Sequence, residues 1–396
     1  MNRRPRMVTA VALGGTAVQA AAATTPAISG GDTAWMLICT VLVLMMTMPG
    51  IILFYGGMLR TKNALSIVAH TIAAAAVVTL TWTVVGYSLA FTAGSPYLGD
   101  MGRLFSEGLI GRHVGSHVVA PTVPESVFFL FQLSFAVITF ALILGATAER
   151  MRLVVTVVLA VLWSALVYAP VAHWIWHPNG WLAKMGHMDF AGGTVVHIQA
   201  GAAGLAAAIA VGPRHGFGKQ PMVPHNLSLT VLGAGLLWAG WFGFNAGSSY
   251  EASARAAGAL LATQLAAGAG ALCWGVAEMF RRQQMSVLGM ATGAIAGLIA
   301  VTPASGYVGV GGALAIGAAS GYFEPPGYRA VPVYTWPRGP AWTPADTSLG
   351  FTFREPVYST PRGYKYVYVR GYYWKRLPNP YAARVYRRPV KVSATK

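Results

Sequence analysis

Long apolar runs broken by short polar loops dominate the chain, near residues 34–58, 65–92, 124–146, 152–172, 190–212, 226–247, 255–279 and 285–303. Each reaches the ~20 residues that a helix rising 1.5 Å per residue needs to cross the hydrocarbon of a bilayer. The pattern predicts eight membrane-spanning helices. A ninth run opens near Tyr307 with Val308–Gly321 but loses its apolar character at Phe323-Glu-Pro-Pro326, too early for a secure span. At the other end Arg3, Arg4 and Arg6 precede an alanine-rich apolar run to about Ala23. That order matches the charged start, apolar middle and small-residue cleavage zone of a secretory signal. Residues 1–25 are read as a signal peptide, which starts the mature chain outside near Ile28–Asp32; an uncleaved first helix is the alternative.

The loops carry the orientation signal. Arg60 and Lys62 follow the first span, Arg150 and Arg152 the third, Arg214 and Lys219 the fifth, Arg281 and Arg282 the seventh. The opposite loops hold only Arg103, Arg112, Lys184 and Arg255. Lys and Arg accumulate on the cytoplasmic side, so the pattern agrees with an outside start, an inner-membrane multi-pass protein and a cytoplasmic tail. Residues 322–396 have a different composition, with 11 of the 17 tyrosines and 11 of the 23 prolines and no spanning run. Tyr364–Trp374 alternates as a hairpin would, with Arg370-Gly371 at its turn. So abrupt a change inside an apolar segment reads as a frame shift or a fused segment.

Composition fits the pattern: 55% of residues are apolar and 10% charged, which excludes a disordered chain and an ordinary soluble domain. The partner is the lipid bilayer. Many of the 47 glycines sit in small-residue runs where helix backbones approach closely. The net charge of +17 is concentrated in the tail, where 13 Lys/Arg face three acids. It forms no basic groove, so nucleic acid is not expected as a partner. Cys39 and Cys273 have no ligand spacing and read as small hydrophobes. No metal cluster, phosphate loop or nucleophile–base constellation occurs in the sequence, so neither an enzyme nor a cofactor is expected. Glu149-Arg150 reads as a loop ion pair.

An ionisable residue, His197, stands inside a span in Asp189-Phe-Ala-Gly-Gly-Thr-Val-Val-His197. Such a residue is costly at bilayer depth and faces a protein interior or a watery path. A neutral imidazole accepts at one nitrogen and donates at the other, so it can pass a hydrogen bond or a proton along a dry channel; a core histidine bonded to a carbonyl is the plainer alternative. Asp189 begins this helix, where a carboxylate can cap free amides. Phe131 and Phe135, four apart, share a helical face with Gln132 beside them, a spacing that core packing also explains.

Pro49–Gly57, Gly145–Arg150, Asp189–His197, Pro224-His-Asn226, Gly240–Ser248, Gly293–Leu298 and Val301-Thr-Pro303 together resemble the ammonium transporter family (Amt/Mep/Rh, bacterial Amt type) over about residues 32–321. The resemblance implies an all-α polytopic membrane protein, a helix bundle of inverted repeats around a narrow pore, usually a homotrimer. It places Phe135, Trp176 and Ser248 at an outer recruitment site, where aromatic faces attract a cation by roughly 0.5–2 kcal/mol each. Trp174 or Trp181 could supply the ring instead of Trp176, and Trp176 could equally be an interfacial belt residue. It makes Phe131 and Phe244 the rings that close the mouth, His197 the lumen ligand, Asp189 a cap that helps stabilise the cation's approach, and Trp241 and Thr302 weaker contributors near the outer vestibule. The family's second pore histidine has no counterpart, since the nine histidines end at His225, and the second half looks incomplete, with about eight full spans plus a partial ninth. The function implied is transmembrane transport of ammonium or ammonia. The alternatives are an ammonium sensor that signals through a PII-type regulator and a truncated product without transport activity, which would fold poorly or fail to conduct.

Overall fold

The computed structural model describes residues 27–111, 114–219 and 222–322, together with three short strands between 358 and 377. The expected signal peptide and most of the Tyr/Pro-rich tail lie outside the described residues. Among the described residues, eight helices are long and apolar enough to cross a membrane: α1 Gly30–Met58, α2 Thr61–Phe91, α3 Glu125–Thr147, α4 Leu153–Lys184, α5 Gly193–Val211, α6 Leu227–Gly247, α7 Ala254–Arg281 and α8 Val287–Ala304. A shorter apolar helix, α9, runs Val310–Tyr322. These match the eight expected spans and the partial ninth. The long connection before α3, read as a plain loop, instead holds a small antiparallel ribbon of β1 Ser116–His117 and β2 Ala120–Pro124.

Four spans contain a π-helical turn: Met46–Ile51 in α1, Trp82–Gly86 in α2, Ser164–Tyr168 in α4 and Gly193–Ile198 in α5. A π turn inserts one residue and rotates everything beyond it, and it often marks a functional position. In α1 it surrounds Pro49, which cannot donate a backbone bond. In α5 it carries His197.

Helix α3 is the hub, with 18 of its 23 residues buried against α1, α2 and α5 among others. An aromatic cluster joins it to α2 and α4: Tyr87 meets Phe129 at 5.0 Å, Phe91 meets Phe128 at 5.0 Å and Trp82 meets Tyr168 at 6.0 Å. Helix α5 is the opposite case, exposing Ile198, Leu205 and Ile209 on its outer side. Lipid is as apolar as these side chains, so helices here associate by close packing and not by hiding oil from water. Around α7 that packing needs glycine: a Cβ on Gly297 of α8 or Gly317 of α9 would overlap the carbonyl of Ala266.

Side chains satisfy the helix starts. Ser29, Asn226, Ser253 and Ser286 each accept from a backbone amide three residues ahead. Buried Glu278 of α7 adds to the last of these, accepting from the Ser286 amide at 2.8 Å and its hydroxyl at 3.1 Å.

The expected Glu149-Arg150 pair does not form. Glu149 sits at φ +65° and accepts from Arg60 of the α1–α2 loop, from Nε at 2.9 Å and Nη2 at 2.5 Å. Burial would raise its carboxyl, but bonds from the Arg60 side chain, Asn63 and the Arg60 amide, with the Arg60 charge, hold it down at about 2. Arg150 turns away to the carbonyls of Ala146 and Gly212. Three loops are thereby tied at one end of the bundle, because Arg60 also donates to the His215 carbonyl at 3.1 Å.

Residues from Tyr328 on form a separate unit. Within it Lys365–Val369 pairs antiparallel with Tyr373–Leu377 in a register that includes Val369↔Tyr373; Arg370 and Gly371, expected at the turn, lie outside the described residues. Tyr358–Ser359 adds a third strand on the other edge of Lys365–Val369.

Candidate pore site

The site is built from a helix start. The chain passes Gly192 in a left-handed conformation, φ +102°, before α5 begins at Gly193. Asp189 is therefore not the first residue of the helix, as expected, but lies outside it and reaches back. Its Oδ1 accepts from the amides of Gly192 at 2.9 Å and Gly193 at 2.6 Å, and its Oδ2 from those of Thr194 at 2.8 Å and Val195 at 3.1 Å. One buried carboxylate thus collects the free amides of a helix N-terminus, where the helix dipole also favours negative charge. Gly193 lies so close to Pro303, at the end of α8, that a Cβ would overlap the proline ring. This packing sets where α5 starts.

Asp189 also places the first aromatic. Its carbonyl accepts from Trp176 Nε1 at 3.0 Å, and the Trp176 ring meets Phe135 edge-on, centroids 5.8 Å apart at 76°. Trp174 and Trp181 turn to each other instead, 5.9 Å apart. Phe135 lies flat on Phe244, 4.1 Å away at 14°, while Phe131 contacts Phe135 at 4.8 Å. Phe244 thus stacks on Phe135, and Phe131, expected with Phe244 to close the mouth, meets that pair through Phe135. Residue spacing on α3 fixes a shared face but cannot say which of two phenylalanines a neighbouring helix will meet. Ser248, at the end of α6, donates to the Phe244 carbonyl at 2.9 Å, leaving its oxygen lone pairs available.

Beyond Phe244 lies His197. Its ring is nearly parallel to two others, Phe244 at 5.8 Å and 29° and Trp241 at 5.4 Å and 25°. Trp241 meets both His197 and Phe244, the latter at 5.7 Å, and it is fixed there by donating from Nε1 to the Thr302 hydroxyl at 2.9 Å. Thr302 in turn donates to the Leu298 carbonyl at 2.7 Å. Both ring nitrogens of His197 are buried, and neither has a partner among the described residues. A core histidine held by a carbonyl, the plainer sequence reading, is thereby removed. A buried polar atom without a partner costs about 1–3 kcal/mol, so an orphaned donor and acceptor on one ring calls for a functional reason.

Three other histidines have close polar partners, and sequence reasoning passed over them. His173 sets Nδ1 at 3.0 Å from the Ala90 carbonyl and Nε2 at 2.7 Å from that of Ser95. His177 stacks on His173 at 4.8 Å and accepts from the Asn179 amide. His117 bonds the Phe91 carbonyl at 2.8 Å and stacks on Phe128 at 4.5 Å. Burial lowers the affinity of His117 for a proton, the Phe91 bond opposing it. Nearby, Glu125 starts α3 under Tyr87 and a bidentate Arg103, with Nε at 3.0 Å and Nη2 at 2.8 Å. All of these pin the α2–α3 connection; their partners are backbone carbonyls and distant side chains, which no local motif announces.

A sequence model of the Ammonium Transporter Family matches residues 34–334. An ammonium transporter of Bacillus subtilis is 45% identical over 278 residues, covering 70% of this chain and 67% of that protein. One from Aquifex aeolicus is 45% identical over 288 residues, covering 73% of this chain and 66% of that one. The chain therefore spans about two thirds of the length of these relatives. Among solved structures, Saccharomyces cerevisiae Mep2 superposes with a TM-score of 0.69 at 37% identity, over 76% of this chain and 68% of that one. A protein described as a sensor Amt protein superposes with a TM-score of 0.67 at 30% identity, over 74% of this chain and 72% of that one.

Proposed function

The chain belongs to the ammonium transporter family, a multi-pass membrane family and not an enzyme family, and from that premise we propose that it moves ammonium or ammonia across the membrane along the line from Trp176 to His197. Ammonium is recruited between Phe135 and Trp176, with Ser248 offering a directed acceptor. It is stripped of water, or loses its proton to water on the outer side, before it passes the Phe131, Phe135 and Phe244 rings and is handed to His197. The aromatic faces offset part of the desolvation that otherwise keeps a small, strongly hydrated ion out of apolar surroundings. Asp189 acts from behind, holding the α5 start and adding its charge to the mouth without touching the cation. Gln132, Trp241 and Thr302 support these groups. The reading includes the inner membrane as its location, a mature N-terminus outside and assembly as a homotrimer.

The observation that carries it is His197, an imidazole with two unbonded nitrogens beneath a closed aromatic pair. The test is methylammonium or ammonium uptake in cells that depend on this chain, with and without His197→Ala. Uptake abolished or sharply reduced by the substitution supports the reading; uptake indifferent to it overturns the role of His197. A second reading, ammonium sensing with a PII-type regulator as partner, is favoured by the likeness to a structure described as a sensor and by the unpaired state of His197. It predicts that purified protein binds ammonium while cells expressing it take up none.

A further inference from the structure

Two residues beyond Ser248 the backbone turns through Tyr250 at φ +58°, a left-handed conformation that large side chains rarely adopt. What holds it there is its ring. The ring meets Phe128 at 5.4 Å and Phe131 at 6.0 Å, both edge-on, and its phenol oxygen accepts from Gln132 Nε2 at 2.8 Å. Gln132 is only 1% exposed and stands on α3 beside Phe131 and one turn from Phe135. Its other amide atom, Oε1, is buried and has no partner among the described residues.

A carboxamide can present either end, and the two ends have opposite meaning for a cation. With its NH2 group forward it repels positive charge; with its oxygen forward it accepts a hydrogen bond. In the structure Tyr250 engages the nitrogen, which leaves the buried oxygen as the end without a partner among the described residues.

We infer that Tyr250 is a positioning residue of the outer mouth: by taking the Gln132 amide nitrogen, it holds Gln132 Oε1 as an acceptor for a small N–H-donating cation. Tyr250 itself does not touch the cation. The inference rests on the site being an ammonium mouth, and it accounts for two otherwise unexplained features, a strained tyrosine and a buried acceptor without a donor.

The test is ammonium chloride titrated into the purified full chain in detergent, at constant ionic strength against sodium chloride, for the parent, Tyr250→Phe, Gln132→Ala and the double variant. Tyr250→Phe keeps the ring and loses only the oxygen, so it should weaken ammonium binding about five- to tenfold, the size of one lost hydrogen bond. Because Tyr250 acts through Gln132, the double variant should bind no more weakly than Gln132→Ala alone. Unchanged binding in Tyr250→Phe, or losses that simply add, overturns the inference while leaving the transport reading standing. A Tyr250→Phe chain that fails to fold assigns the phenol a structural role and overturns it equally. Absence of ammonium binding by the parent chain removes the transport reading, and the inference with it.

Discussion

Replacing Asp189 by asparagine is the sharpest perturbation the site offers, since it changes one atom and a charge. The carboxylate accepts four amides, two on each oxygen, from Gly192 to Val195. Asparagine keeps one acceptor oxygen. If that oxygen serves Gly192 and Gly193, the amides of Thr194 and Val195 face an NH2 group, donor against donor. A buried amide left without an acceptor costs about 1–3 kcal/mol. Losing a negative charge at a helix N-terminus adds about 0.3–2 kcal/mol. The expected loss is about 2–8 kcal/mol, large against the total stability of most folded proteins. The damage is also directed, because the same amides begin the π turn that carries His197 and the Asp189 carbonyl anchors Trp176. Unfolding by SDS titration of detergent-purified protein, followed by tryptophan fluorescence, measures it. Asp189→Glu keeps the charge on a longer stem and should lose less. A stability within about 1 kcal/mol of the parent for Asp189→Asn would refute the claim that this carboxylate holds the α5 start.

Three further outcomes follow from contacts elsewhere. Arg60 holds the Glu149 carboxyl at about 2 in the folded chain against an ordinary 4.5, so the pair contributes its full stabilisation above about pH 4.5 and loses it as pH falls towards 2; acid titration of Glu149→Gln should lack the part of the stability loss that the parent shows in that window. Gly317→Val puts two methyl groups into the Ala266 backbone, and overpacking of about 1–3 kcal/mol or more should appear as reduced yield and a lowered unfolding midpoint, whereas Gly258→Val, at a glycine with open space around it, should not. Trp241→Phe keeps a ring beside His197 but drops the bond to Thr302, costing about 0.5–1.5 kcal/mol; an unfolding midpoint equal to the parent's would show that the indole bond holds nothing.

The spans were legible because a bilayer demands ~20 apolar residues at a stretch, and that demand leaves little room for ambiguity. Even the antiparallel pairing of Lys365–Val369 with Tyr373–Leu377 agrees with the alternation. What could not be read is pairing across distance. Glu149 took Arg60, 89 positions away, over its neighbour Arg150, because φ +65° at Glu149 separates adjacent side chains that a linear reading puts side by side. The ring contacts were unreadable for a related reason: Phe131 and Phe135 share a face on α3, and only the approach of α6 selects Phe135 for the flat contact with Phe244. Asp189 was recognisable as a capping residue, yet its displacement from the helix depends on the left-handed Gly192. Tyr250 carried no signal at all, since nothing in a sequence marks a tyrosine as left-handed.

The arrangement around His197 has a physical logic of its own. Two unbonded nitrogens on one ring are unfavourable, and a freely rotating imidazole would turn to find a carbonyl, as His173 and His117 do. His197 is prevented from doing so by Trp241 and Phe244, whose nearly parallel rings restrict its plane. Those rings are themselves fixed, Trp241 by Thr302 and Phe244 by the flat contact with Phe135. The unsatisfied state is thus imposed by packing, a cost of about 1–3 kcal/mol per orphaned atom offset by the contacts that enforce it. A guest able both to donate and to accept a hydrogen bond can recover that cost with no rearrangement of the ring, and ammonia has both capacities while ammonium has only the first. In the proposed pathway this favours ammonia over ammonium as the species held at His197.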